Sequence, residues 1–80
     1  MNDSDLAQVL FTTPLQASDH PSDERIESAI HDHLTTYGAR ACAARVAQEA
    51  GDHPEAYAAR MRWALATVTR LHPQHTYLAA

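Results

Sequence analysis

Eighty residues make one small domain, which buries only about 60% of the surface its unfolded chain exposes, so stability calls for good packing or self-association. A single cysteine, Cys42, excludes an internal disulfide, and no apolar run approaches the ~20 residues of a membrane span. With no basic, apolar leader at the N-terminus, a soluble cytoplasmic protein without a membrane partner is expected.

Net charge is −4, but the charges are divided along the chain: residues 1–35 hold seven acids against Arg25 alone, whereas residues 36–80 hold five arginines against three acids. Such a division predicts either internal pairing of the two halves or opposite surfaces offered to a partner. All six basic residues are arginine, and alanine is abundant, the codon signature of a GC-rich bacterial genome.

Residues 2–11 are expected to form a short helix capped by Ser4, with Leu6, Val9 and Leu10 on one side and Thr12, Thr13 and Pro14 as its stop. Two prolines and small polar residues make 14–21 an irregular connection anchored by Leu15. Residues 1–21 thus read as an N-terminal arm with a short helix. A helix this short does not persist alone, so Leu6, Val9, Leu10, Phe11 and Leu15 either dock on the rest of the chain or stay mobile until a partner binds.

Residues 22–72 read as a domain of three helices, followed by a tail at 73–80. The first opens at Ser22, carries Asp23 and Glu24 in its first turn, lines Ile26, Ile30, Leu34 and Tyr37 on one face, and stops at Gly38. Ala39, Cys42, Ala43, Val46, Ala47 and Ala50 give the second a face of mostly small residues ending at Gly51. The third begins with Asp52 as cap, Pro54 in the first turn and Glu55 placed to complete a capping box. Its stripe is Tyr57, Met61, Ala64, Leu65, Val68 and Leu71. The fold class is therefore all-α, a small bundle of three main helices plus the N-terminal helix or arm. Trp63 falls about 135° from the centre of that stripe, beside Ala59, Ala66 and Arg70, so this helix has a second surface to cover. The N-terminal arm is the natural cover.

Ala47 and Gly51, four apart with Val46 and Ala50 at buried positions, resemble the small residue and turn glycine of a helix-turn-helix. That resemblance implies a DNA-binding transcriptional regulator in which Arg60, Arg62 and Arg70 contact nucleic-acid phosphate. Asp52 and Glu55, however, put negative charge at the end that should approach phosphate and base edges. His31 and His33 point to different sides of a helix, and His72 and His75 flank Pro73, so no metal site is inferred. Cys42 lies on an apolar face, and the chain has no Gly-rich phosphate loop, serine elbow or paired carboxylates. Hence no catalytic residue, cofactor or small-molecule substrate is inferred, and the protein is not read as an enzyme. The favoured reading is a helical interaction module, an adaptor or regulator. Its partner is another protein or a second copy, bound through Trp63, Arg62, Arg70, Ala59 and Ala66.

Overall fold

Asn2 starts the first helix. Its Oδ1 accepts from the Asp5 amide at 2.9 Å while its own amide donates to Asp5 Oδ2 at 3.4 Å, a reciprocal box that satisfies amides at the helix start. Ser4 therefore lies inside the helix and is not its cap. The computed structural model describes residues 1–72, and among these it contains four α-helices, a 3₁₀ turn at Ala17–Asp19 and no strand. The helices are α1 (Asp3–Thr12), α2 (Asp23–Tyr37), α3 (Ala39–Asp52) and α4 (Pro54–Leu71). The expected tail at 73–80, with His75, lies outside the described residues. No helix among the described residues is long and apolar enough to cross a membrane.

The expectation of three main helices with an appended arm needs revision, because the shortest helix is the central one. Ala7, Val9 and Leu10 are wholly buried and Phe11 nearly so; these residues point to several sides of α1, leaving Ser4 and Asp5 exposed. A helix apolar around most of its circumference has to be enclosed, and α1 touches each of the other three. Leu15, the expected anchor of the connection, is buried in the same cluster as Ile26, Ile30, Cys42, Ala64 and Val68.

Ser22 caps α2 as expected, its hydroxyl accepting from the Arg25 amide at 3.2 Å, and Gly38 ends the helix at φ +85°, a conformation that favours glycine. Tyr37 departs from the expected stripe. It is 61% exposed, and its ring sits 5.1 Å from that of His33, one turn back, instead of entering the interior. In α3 only Cys42 and Val46 are buried, while Ala39 and Ala47 face solvent.

The break between α3 and α4 differs in both residue and cause from the expected one. Gly51 and Asp52 are helical, and the His53 amide still donates to Glu49 O at 2.8 Å. The chain leaves the helix only at His53, with φ −139° and ψ 68°. A residue preceding proline is pushed out of the α region, so Pro54 sets the hinge. Asp52 consequently caps nothing, and the capping box with Glu55 does not form.

Along α4, Trp63 and Leu65 lie symmetrically about Ala64, each roughly 100° away. Periodicity alone places Leu65 in the core, but Leu65 is 42% exposed, whereas Trp63 is half-buried and packs against the cluster that holds Val68 and Met61. The buried stripe is turned toward Trp63, and it includes Thr67.

Substitution of Leu10 by Ala is expected to cost about 2–5 kcal/mol in a urea titration, whereas Leu65→Ala stays within about 0.5 kcal/mol of the parent. Equal losses at the two positions would contradict the central place of α1.

Candidate functional site

The C-terminal end of α1 presents a polar problem inside the fold. The last carbonyls of a helix lack intrahelical donors, and α1 has neither a glycine cap nor a basic residue in its last turn. Two threonines answer part of it: Thr12 Oγ1 donates to Val9 O at 2.7 Å, and Thr13 Oγ1 donates to Leu10 O at 2.8 Å. The rest comes from α4. Arg60 donates from Nε to Phe11 O at 2.9 Å and from Nη2 to Thr13 O at 2.8 Å. Its cation stands at the negative end of the α1 dipole, where positive charge is favoured.

Aromatic rings enclose this guanidinium. Arg60 Cζ lies 5.5 Å from the centroid of the Phe11 ring and 5.1 Å from that of Trp63, both within cation–π range. Phe11 in turn meets Tyr57, with centroids 5.8 Å apart and the planes tilted by 48°. Burial pushes the Arg60 pKa below its ordinary value, because desolvation disfavours the charged form.

Beside this end of α1 a cleft of about 240 Å³ opens toward solvent, walled by Thr13 and Gln16 from α1 and its exit, Arg45 and Glu49 from α3, and Tyr57 and Arg60 from α4. A second cleft of similar volume continues on the other side of Arg45, past Thr12 and Cys42 to His33 and Tyr37. Thr12 and Arg45 line both. The Cys42 thiol forms part of the second wall although it is almost fully buried, with its Sγ 3.5 Å from Thr12 Oγ1. Glu49 faces His53, one turn on, at 3.9 Å.

The residues expected to form a partner surface do not all share one. Ala59, Arg62 and Ala66 lie exposed on the outer side of α4, and Arg70, also exposed, bonds to Asp23 Oδ1 of α2 at 3.0 Å. His72 meets Glu27 at 3.1 Å. The acidic and basic halves of the chain thus join partly to each other, at the surface, where such pairs contribute about 0–1 kcal/mol. Trp63 stands apart from this outer face, between Arg60 and the interior. Of the three arginines expected at nucleic-acid phosphate, Arg60 is already engaged with backbone carbonyls, whereas Arg62 is open to solvent.

No protein-family model, curated protein or solved structure matches the chain. Sequence reasoning passed over Arg45, Tyr57 and Tyr37 as site residues, although Arg45 and Glu49 fall one helical turn apart on α3, and Tyr57 follows Pro54 by three. Nothing local marked Phe11 as the residue whose carbonyl Arg60 would seek.

Replacing Arg60 by Met keeps most of the apolar stem but strips both donors, leaving two inward carbonyls without partners. Equilibrium unfolding should register a loss of about 1.5–3 kcal/mol, and Arg60→Lys, which keeps charge without the planar fork, should recover only part of it. A Met variant as stable as the parent would show that the carbonyls find other donors.

Proposed function

We propose that this chain is a small helical protein-interaction module, an adaptor or regulator, that receives its partner along the double cleft centred on Arg45. The observation that carries this reading is the placement of Tyr37 and Arg45. Tyr37 is 61% exposed on one rim, and the Arg45 side chain between the two clefts makes no ion pair or hydrogen bond among the described residues. Tyrosine, tryptophan and arginine are the residue types that most often carry binding energy at interfaces, and a cleft lets a partner desolvate them. Trp63 supports the surface from beneath: it helps to hold Arg60, which forms the floor of the first cleft.

This placement moves the partner surface off the face expected from the sequence. With its indole against the interior, Trp63 offers less area to a partner than its position opposite Leu65 suggested. The exposed Ala59, Arg62 and Ala66 face remains a comparison surface for experiment. The alternative reading, a DNA-binding regulator, draws less support: Gly51 stays helical where a helix-turn-helix turn needs its glycine, and Arg60 is turned inward. Net charge of −4 adds no long-range attraction to nucleic acid.

Native mass measurement of the purified chain, alone and after affinity capture, is expected to show a second copy or a protein partner. Tyr37→Ala and Arg45→Ala should each weaken that association by roughly tenfold, about 1.4 kcal/mol, with helix content unchanged by circular dichroism. Ala66→Arg, on the outer side of α4, should leave it intact. If instead Ala66→Arg abolishes association, the partner sits on the outer face. If the chain stays monomeric and shifts random duplex with a steep salt dependence, the regulator reading replaces this one.

A further inference from the structure

The first cleft brings together two arginines of different standing. Arg60 is fixed before any ligand arrives: two of its five N–H groups are bonded to Phe11 O and Thr13 O, and the Phe11 and Trp63 rings lie close to the guanidinium. Three N–H groups remain without a protein partner among the described residues. Arg45, exposed on α3, reaches the same cleft on a flexible stem. Neither has a carboxylate within ion-pair distance among the described residues, even though Glu49 lines the same wall one helical turn from Arg45. Glu49 instead faces His53.

We propose that this cleft binds a single carboxylate group, held between the free N–H groups of Arg60 and the guanidinium of Arg45. Guanidinium presents paired, coplanar donors that match the two oxygens of a carboxylate, and one fixed and one mobile arginine allow entry followed by closure. Charge selects the ligand class. Arg45 and Arg60 against Glu49 leave one net positive charge, enough to balance a monoanion; a phosphate dianion would keep excess negative charge beside Glu49. The cleft's volume, about 240 Å³, is enough to admit an acidic side chain or a small free acid. Glu49, one helical turn from Arg45 on the same wall, is the competing carboxylate, and its negative charge opposes an incoming anion. Within the interaction-module reading, on which its biological use rests, the carboxylate is an Asp or Glu side chain of the partner. The same chemistry accepts a free short-chain acid.

The test is a titration of the ¹⁵N-labelled full chain, following the arginine Nε–H signals. Four probes are used: propionate, the capped peptide acetyl-Gly-Glu-Gly-amide, its Gln counterpart, and inorganic phosphate. Saturable shifts at Arg60 and Arg45, with Arg62 unmoved, are expected from propionate and the Glu peptide and not from the Gln peptide. Arg45→Gln should weaken this binding by about threefold to fivefold, the size of a half-exposed ion pair, and Glu49→Gln should strengthen it by a similar factor. A Glu peptide that binds better than propionate identifies a partner side chain as the source, and equal binding identifies free acids; both uphold the site. It is overturned if the Gln peptide produces the same shifts, if phosphate binds better than propionate, if Arg62 responds along with the others, or if Arg45→Gln changes nothing. The two readings fail separately. A chain whose partner capture depends on Tyr37 and Arg45 but which shows no saturable shift with propionate or the Glu peptide loses the carboxylate site and keeps the module, while a monomer that binds propionate as described removes the module and leaves the site.

Discussion

Enclosure of α1 is the constraint from which the other features of the structure follow. A ten-residue helix has little stability of its own, so its apolar side chains are retained only because α2, α3 and α4 close around them. Burying Leu10 and Val9 contributes roughly 1.5–3 kcal/mol each, but the same enclosure turns the end of α1 inward, where a carbonyl without a donor costs about 1–3 kcal/mol. Thr12 and Thr13 reach only the carbonyls one turn back. The remainder requires a donor from elsewhere in the chain, and Arg60 supplies it with a charge of the right sign for that end of the helix. Once Arg60 is seated there, the rotation of α4 about its axis is fixed, and with it the side on which Trp63 lies.

That rotation is the part of the fold that local pattern does not contain. Trp63 and Leu65 are equivalent by periodicity about Ala64, and a hydrophobic ranking prefers Leu65. The choice was made by a contact across 49 residues, between Arg60 and Phe11, which no helical window includes. The same long-range contact explains why an arginine that looks like a surface cation is a structural group. By contrast, the ends of α2 were legible because each is set within three or four residues: Ser22 meets the Arg25 amide, and Gly38 alone has the freedom for φ +85°. The all-helical class was legible for a similar reason, since the 3.6-residue period recurs through every long segment while alternation is absent.

Where two local signals compete, local reading favours one too soon. Gly51 suggested a helix end and Asp52 a helix start, yet the following Pro54 excludes the α region only for His53, so α3 keeps both residues and the hinge contracts to one position. At the other end of the chain, Ser4 and Asn2 both have capping side chains. Asn2 prevails because the residue three further on is Asp5, whose carboxylate returns the bond, whereas the corresponding residue for Ser4 is Ala7, which is fully buried and has nothing to return.

The candidate site arises from what α3 lacks. Cys42 and Val46 are the only buried residues of α3, which lies close against α1, and its exposed alanines are too short to fill the seam on either side. Clefts therefore open on both flanks of Arg45, one floored by the engaged Arg60 and one reaching Cys42. Larger side chains along α3 would close these clefts and add buried area, so the small side chains exchange stability for an accessible polar recess. A chain this small has little stability to give up. The enclosure of α1 and the capping of its end by Arg60 shape that recess, because the arginine that completes the core also lines the opening beside α3 with its remaining donors.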